Sequence, residues 1–438
     1  MTRKLHGLSA VALAAAAAFA GSAVQAQDGS VQIYGTLDLS ADRIEKSEGN
    51  NAGTIFGATP SPETKQTRLA PSMTRQSHLG IRGTEPLGGG WEAKFTLEGS
   101  VVADTGTMGN DGRMWGRQAW VGLTTPVGEV RLGRQVSPFL AAYFIGTLDG
   151  IGGTDIYATG VALNNLQTYQ DNVISYGLRQ GPFAGRISYS PNAGVAERIS
   201  PARSTATATL PASNANIGQI LGGLTSGAEN SDGRGKTWGA MGAYLGDELK
   251  IVGAYNRNKF AGAQIGVPSA SVPGGFLPLF VADEYKSYMI GARYKFGFGT
   301  EIGGNFYEGK LDDASTIDPK IRAVALAVKH SIGSIDLLAE AMQAKYTNFT
   351  EGKDTGFMFG AEYNFSKRTT VYMRAGRMKD DRGNVTGSGV LGAGAPLAGG
   401  PLALLVSLGS TEVPLFSGAN LNVDADTKML GIGIRHSF

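Results

Sequence analysis

A repeating alternation of apolar and polar residues runs along most of the chain. Residues 31–39 (VQIYGTLDL) place Ile33, Leu37 and Leu39 on one side of an extended chain. The Gln, Tyr, Thr and Asp residues between them fall on the other side, because successive side chains of a β-strand point to opposite faces. The segment therefore predicts a strand with one apolar and one polar face.

The same pattern recurs from residue 78 to the end of the sequence. Further strands are predicted by the segments HLGIRGTE, WEAKFTLE, NVISYGL, TWGAMGAYL, LKIVGAYN, SYMIGARYKF, EIGGNFYEG, IRAVALAVKH, GSIDLLAEAMQAKY, FMFGAEYNF, TTVYMRAG and TKMLGIGIRHSF. Weaker alternation at 116–124, 129–135 and 183–190 adds three more. Together these segments predict sixteen strands, an even number.

Connections between the predicted strands alternate between short and long. The short ones are EPLGGG, TPVG, RQGP, LGD, GFG, IGS and SKR, and the long ones include 42–73, 136–170, 191–235, 259–284 and 380–425. Seven short turns interleaved with eight long loops place all the loops at one end of the sheet. A transmembrane barrel of the outer-membrane type has this arrangement, whereas a soluble β-sandwich does not sort its loops by length.

The predicted fold is all-β: a 16-stranded antiparallel transmembrane barrel with short periplasmic turns and long outer loops. A closed sheet satisfies its backbone hydrogen bonds in lipid, and only its outer face must be apolar. Sixteen tilted strands leave an aqueous lumen. The 65 Gly residues and the charged fraction of 17% agree with a small, polar inner wall and disfavour a helical bundle. Aromatic residues near strand ends fit the interfacial girdles of a barrel: Trp91, Tyr294, Phe296, Phe365 and Phe438.

The first 26 residues have the features of a secretory signal peptide. Arg3 and Lys4 precede an apolar stretch at 8–20 that is too short to span a bilayer, and VQA at 24–26 fits a cleavage site. The expected organisation is a signal peptide at 1–26 and a barrel at 27–438. Without the signal, the chain carries 37 basic and 37 acidic residues, a balance that gives no indication of nucleic-acid binding.

Motifs of enzymes and of cofactor sites are missing from the sequence. It contains no Cys, four His, and no HExxH, GxSxG or Walker pattern. The absence of Cys excludes a thiolate-bound metal ion. We therefore expect no catalytic residue, no cofactor and no metal ion.

Several segments are similar to general diffusion porins of Gram-negative bacteria, especially the β-proteobacterial type. They are VQIYGTLDLS, SHLGIRGTEPLGGGWEAKFTLEG, GRQAWVGL, VGEVRLGRQ, AEYNFSKRTTVYMRAG and the ending GIGIRHSF. The resemblance implies a homotrimer in the outer membrane, among lipids and lipopolysaccharide, that passes small hydrophilic solutes and ions by passive diffusion. It further implies that the third outer loop, at 136–170, folds into the lumen as a constriction. The terminal Phe438 resembles the signal that the barrel-assembly machinery reads.

The resemblance also implies charged residues at the constriction. In the family, acidic residues on the third loop face a column of basic residues on the wall. Asp149 matches the acidic loop position and Asp155 lies nearby, while Arg117 and Arg134 match basic wall positions. Tyr169, or its neighbour at 168, stands at the approximate place of another family Arg.

Strand alternation adds four residues to this group. It places His78 with Arg82, and Lys94 with Glu98, on the polar faces of two successive strands. A basic side chain on the lipid face at the bilayer midplane costs about 2–4 kcal/mol, so the wall cations are expected to face the lumen. His78 occupies a position at which the family usually has Arg. This difference and Tyr169 weaken the basic column, so the resemblance does not extend to strong anion selectivity.

Two other functions are compatible with the sequence. The barrel could be a substrate-preferring channel with a binding site at the constriction, or an adhesin or receptor that acts through its outer loops. The last long loop contains an apolar segment at 389–409. Packing of this segment over the pore mouth is favoured over contact with a neighbouring subunit or with a hydrophobic solute.

Overall fold

The structure is a computed structural model, and the description covers nine parts of the chain. These are residues 29–47, 63–148, 169–193, 207–209, 235–268, 276–313, 320–347, 352–380 and 426–438. The predicted signal peptide, the loop residues Asp149 and Asp155, and the apolar segment 389–409 lie outside them.

The described chain forms one continuous sheet and two helices. Its strands are β1 Ser30–Lys46, β2 Thr64–Pro71, β3 His78–Gly88, β4 Trp91–Val102, β5 Thr107–Met108, β6 Gln118–Thr125, β7 Gly128–Val136, β8 Tyr169–Gln180, β9 Phe183–Ser190, β10 Thr207–Thr209, β11 Thr237–Leu245, β12 Leu249–Pro268, β13 Phe276–Lys295, β14 Thr300–Asp313, β15 Lys320–Ile332, β16 Ile335–Thr347, β17 Gly352–Asn364, β18 Thr369–Asp380 and β19 Asp426–Ser437. The helices are α1 Gly109–Gly112 and α2 Pro138–Gly146.

Sixteen of these strands form a closed antiparallel barrel, which confirms the predicted fold. Successive barrel strands are neighbours, and β19 returns to pair with β1 from Thr36↔Ser437 to Lys46↔Thr427. Of the remaining three, β5 and β10 are short additions. β2 pairs with the outer half of β1, whose other half pairs with β3.

Seven short turns connect the barrel strands at one end, as predicted, but strands extend into several of the predicted loops. β1 and β2 occupy much of the predicted loop 42–73, and β12 and β13 leave only residues 269–275 of the predicted loop 259–284. Beyond the lipid a paired strand needs backbone partners and no apolar face. The alternation that predicts a spanning strand is therefore weaker there.

The two faces of the barrel differ as the alternation predicts. Outward side chains are apolar and exposed, among them Ile33, Leu79, Leu132, Ile174, Ile187, Ile290, Leu326, Phe359 and Ile432. At the short-turn end, exposed aromatic residues follow one another around the rim: Trp91, Phe183, Tyr244, Tyr294, Phe298, Tyr363, Phe365 and Phe438. These positions form an apolar band with an aromatic border, which suits a lipid bilayer.

The interior contains α2, which packs against the lumen wall. Among the described residues, no helix is both long enough and apolar enough to cross a membrane. The buried apolar cluster combines residues of α2 with residues of the wall strands β12–β19. The barrel thus has a packed side under α2 and an open remainder.

Candidate pore constriction

Helix α2 follows β7 and turns into the lumen. Ser137 caps its N-terminus, because the Leu140 backbone N–H donates a hydrogen bond of 3.0 Å to Ser137 Oγ. Pro138 occupies the first turn, where its missing N–H costs nothing. Phe139 and Tyr143 are buried on the wall, with the Phe139 ring edge-on to Tyr307 at 5.6 Å. Apolar packing therefore holds the helix inside the barrel.

Glycines in the wall make room for α2. A Cβ atom at Gly239 would lie 3.0 Å from Pro138 Cδ, and one at Gly303 would lie 2.9 Å from the backbone oxygen of Gly146. At Gly291 it would lie 3.0 Å from the Cα of Gly146. The wall strands β11, β13 and β14 thus form a groove, defined by Gly239, Gly291 and Gly303, that accepts the backbone of the helix at both ends.

The C-terminal end of α2 is tied to the wall by Arg293. Its Nη1 donates a hydrogen bond of 3.0 Å to the Thr147 carbonyl, and its Nη2 pairs with Glu301 at 2.6 Å. Leu148 is the last described residue of this loop. Asp149, the predicted acidic position, is the next residue in sequence.

A cavity of about 480 Å³ separates the end of α2 from the opposite wall. We name it the central cavity. Its lining includes Phe144, Thr147 and Leu148 from the α2 side. Its charged lining consists of Arg75, Arg117, Arg293, Lys329 and Arg435 as cations and Asp336 and Glu362 as carboxylates. Cations therefore outnumber carboxylates on this surface, and His78 lines it as well.

Residues 72–77 interrupt the wall between β2 and β3 and fold inward; we name them the inner segment. Asp38, a fully buried residue of β1, anchors it. Asp38 Oδ2 accepts hydrogen bonds from the backbone N–H groups of Thr74 at 3.0 Å and Arg75 at 2.8 Å. Tyr372 donates its hydroxyl to the other oxygen. This anchor presents Arg75 and Gln76 to the central cavity.

Arg117 is held beside the inner segment by a carboxylate and an amide. Its Nε pairs with Glu98 Oε1 at 2.6 Å, and it also donates to the side-chain oxygen of Gln76. Glu98 accepts a second hydrogen bond, of 2.7 Å, from the hydroxyl of Tyr34. The Arg117 guanidinium lies 5.4 Å from the ring centre of Tyr169, within the range of a cation–π contact.

Four predicted site residues therefore come together: Arg117, Glu98, His78 and Tyr169. His78 Nδ1 lies 2.8 Å from the Gln76 carbonyl oxygen, and the Tyr169 hydroxyl donates to the Gln76 side chain at 3.4 Å. Gln76 is thus a common partner of Arg117, His78 and Tyr169. It lies in the inner segment, just beyond the predicted loop 42–73, and strand alternation could not reveal its position.

Three other predicted cations lie apart from the lining of the central cavity. Arg82 donates to Gln32 at 2.7 Å, and Lys94 pairs with Glu92 at 2.7 Å near the short turns. Arg134 pairs with Asp171 at 2.6 Å. Carboxylates in the wall balance the charges of Lys94 and Arg134, whereas the partner of Arg82 is a neutral amide.

Sequence reasoning missed several lining residues. Arg293, Glu362 and Arg435 lie in predicted strands at positions whose parity faces the lumen, so alternation carried a usable signal for them. Glu362 joins two cations, pairing with Arg435 at 3.1 Å and with the fully buried Arg374. Arg75 follows a strand break, and its position depends on the anchor at Asp38 rather than on any local pattern.

The described residues hold no group of three or more His, Asp or Glu side chains that could bind one metal ion. Titratable side chains of the lumen are instead arranged in pairs along the wall. Such an arrangement offers charges to a solute in the lumen.

The chain belongs to the Gram-negative porin family, whose model matches residues 12–384. It is 28% identical over 394 residues to an outer membrane porin of Bordetella pertussis, covering 81% of this chain and 99% of the relative. It is 26% identical to outer membrane porin protein 32 of Delftia acidovorans, covering 86% and 91%. Among solved structures, it is similar to an anion-selective porin from Comamonas acidovorans, with a TM-score of 0.61 and 21% identity over 94% of this chain and 100% of that one.

Fold and family together define the function at the level of class. The barrel is an outer-membrane porin, a water-filled channel for the passive diffusion of small hydrophilic solutes and ions, and not an enzyme. Its location is the outer membrane of a Gram-negative bacterium.

Proposed function

We propose that the central cavity is the constriction of this channel and that it favours anions over cations. The observation that carries the proposal is the charge on its lining, which has five Arg or Lys side chains and two carboxylates. In a narrow space bounded by protein of low dielectric constant, such charges act on a permeating ion more strongly than in bulk water.

The preference is modest because much of this charge is balanced nearby. Glu98 neutralises Arg117, and Glu301 lies 2.6 Å from Arg293 and 3.6 Å from Lys329. Arg75 lines the central cavity and is exposed, so a passing ion can approach it. The similar porin from Comamonas acidovorans is described as anion-selective, which agrees with the proposed direction.

Asp149 and Asp155 oppose this preference in the proposed constriction. The support for this part of the proposal is that Asp149 follows Leu148 in sequence and that Leu148 lines the central cavity. Arg82, Lys94 and Arg134 act on ions at the two approaches rather than at the narrowest point.

The zero-current potential in a KCl gradient across a planar bilayer tests this proposal. Arg75→Gln combined with Lys329→Gln should move it toward cation preference, and Asp149→Asn should move it toward anion preference. Both shifts should shrink with salt, because the screening length falls from about 10 Å at 0.1 M to about 3 Å at 1 M.

Lys367→Gln, in the turn after β17, is the matched control for the loss of positive charge. It should leave the zero-current potential unchanged. A wild-type potential that already indicates cation preference would reject the proposed selectivity, and an unchanged potential in the double variant would reject the proposed constriction.

The assembly of the channel is a second proposal. We propose that three copies associate in the membrane, among lipids and lipopolysaccharide, after removal of a signal peptide at 1–26 and recognition of Phe438 by the barrel-assembly machinery. Family membership supports the oligomer, as does a structure of OmpT from Vibrio cholerae in a trimer form, which resembles this barrel with a TM-score of 0.55 and 16% identity over 94% of this chain.

A further inference from the structure

A second cavity, of about 420 Å³, lies on the short-turn side of α2. We name it the turn-side cavity. Phe144 and Arg293 line both cavities, so the two spaces adjoin. The remainder of the turn-side lining includes Ile145 of α2, Asp247 of the turn between β11 and β12, and Arg179 and Lys250 at the turn ends of β8 and β12.

The charge of this cavity is positive and largely uncompensated. Three cations line it against one carboxylate, Asp247. Arg293 is occupied by Glu301 and the Thr147 carbonyl. The side chains of Arg179 and Lys250 have neither a hydrogen-bond nor an ion-pair partner among the residues that the structure describes. Two cationic side chains that form no ion pair in a recess with a single carboxylate, Asp247, attract an anion from solution.

The opposite side of the cavity is apolar. Phe144 and Ile145 belong to α2, but they are only partly buried, unlike Phe139 and Tyr143 of the same helix. Their remaining surface faces the recess that Arg179 and Lys250 also line. Ligand sites commonly combine such an apolar surface with a few polar groups, and a volume of about 300–1,000 Å³ is typical of them.

We propose that the turn-side cavity binds a small organic anion, namely a carboxylate that carries an aromatic ring or a short hydrocarbon chain. The carboxylate pairs with Arg179 and Lys250, and the apolar part contacts Phe144 and Ile145. Short turns of outer-membrane barrels face the periplasm, so the site is on the periplasmic side of the constriction. The channel would then retain such anions after they have passed the central cavity, which goes beyond unselective diffusion.

Inhibition of the KCl current by benzoate, added separately to each side of oriented channels in a planar bilayer, tests the site. Benzoate should inhibit more strongly from the periplasmic side. Acetate supplies the charge without the ring, and benzamide supplies the ring without the charge; each should inhibit more weakly than benzoate at equal concentration.

The variant Arg179→Gln with Lys250→Gln should raise the half-inhibitory concentration of benzoate about tenfold, because the charge-assisted hydrogen bonds to its carboxylate are lost. The variant Lys295→Gln with Lys367→Gln removes the same charge at neighbouring turn ends outside the cavity, and it should leave inhibition unchanged. Single-channel conductance without benzoate shows that each variant forms a channel.

Equal inhibition from both sides, or equal inhibition of both double variants, would overturn the site. Crystals soaked in 4-iodobenzoate supply a second measurement that does not depend on these variants. The anomalous signal of iodine should lie next to Phe144 and Ile145. A signal confined to the central cavity near Arg75 would overturn the turn-side site while leaving the proposed constriction intact.

Discussion

Asp38 illustrates how one side chain organises a surface that it does not itself reach. Its carboxylate is fully buried in the wall, yet it determines where Arg75 and Gln76 meet the lumen. The Ser72 N–H donates to the Asp38 carbonyl at 2.7 Å, and Ser77 Oγ accepts from the Asp38 N–H at 2.9 Å. The inner segment is therefore fixed at both ends by one residue of β1.

Replacing Asp38 by Asn should loosen the inner segment without removing a strand. An Asn can keep its one oxygen on the Thr74 and Arg75 N–H groups, but its NH₂ then replaces the oxygen that accepts from Tyr372. The negative charge that strengthens all of these hydrogen bonds is lost as well. We expect a lower temperature of thermal unfolding and greater noise of the open-channel current, recorded in planar bilayers, because Arg75 is held less firmly.

Asp171→Asn is the matched control for that variant, since Asp171 is a wall carboxylate too, partly buried, but pairs with Arg113 and Arg134 away from the inner segment. It should lower thermal stability and leave the noise at the wild-type level. Wild-type noise in Asp38→Asn would show that the inner segment is rigid without its anchor.

Alternation predicts that Asp38 faces the lumen but not what it does there. Tyr372 is 334 positions away in sequence, and Thr74 and Arg75 belong to no strand. Arg117 and Arg75 likewise differ in whether the sequence reveals them. Arg117 is recognisable by resemblance to the family, whereas Arg75 owes its place to a contact between distant parts of the chain.

At the scale of elements, the helix α2 and its groove depend on each other. Residues 138–146 (PFLAAYFIG) are apolar on all sides, a pattern typical of a buried helix, and Ser137 followed by Pro138 marks its start. The sequence thus contains a signal for this helix, although the sequence analysis predicts the segment only as part of an inserted loop. The groove had no comparable signal, because a wall glycine under α2 looks like any other glycine of a strand.

Gly303→Val should displace the C-terminal end of α2. A Cβ atom there would lie 2.9 Å from the Gly146 carbonyl oxygen and 3.0 Å from Leu148 Cγ, and overpacking of this kind typically costs about 1–3 kcal/mol. We expect a lower temperature of thermal unfolding and a changed single-channel conductance, because Thr147 and Leu148 line the central cavity.

The control is Gly242→Val, since a Cβ atom at Gly242 would meet nothing within 4 Å. It tests the general effect of a β-branched residue in a wall strand. Unchanged conductance in Gly303→Val would mean that α2 does not set the width of the pore.

At the scale of the whole molecule, Phe438 helps to close the barrel where the end of the chain meets β1. Its backbone N–H donates to the Gly35 carbonyl at 3.1 Å, and its carbonyl accepts from the Gly35 N–H at 3.2 Å. Its ring covers Gly35, where a Cβ atom would lie 2.5 Å from Phe438 Cζ. Recognition by the assembly machinery and closure of the sheet can therefore be separated experimentally.

Phe438→Ala keeps both backbone hydrogen bonds and removes the ring. We expect less channel in the outer membrane, measured as the fraction that migrates as an oligomer without heating and as a monomer after boiling. The same variant refolded from urea into detergent should form the barrel as wild type does. Normal assembly in cells would reject the role of the ring as a signal.

Each strand carries its own alternation of apolar and polar residues, and short turns alternate with long loops. These two patterns were enough to predict the number of strands and a closed barrel. It could not predict how far the strands extend beyond the lipid. The outer halves of β1 and β12 are defined by partners in β19 and β13 rather than by an apolar face.

The pairing of β1 with β19 also constrains the order of events during folding. The side chains of Thr36 and Ser437, 401 positions apart, lie 2.9 Å from each other at this closure. Until the last strand arrives, the sheet has two edges whose N–H and C=O groups have no partner, and hydrocarbon offers none. A partly assembled sheet is therefore unstable in the bilayer. Contacts of such long range also make folding slow. The channel should consequently appear in the membrane in one cooperative step, with no narrower, partly assembled pore before it.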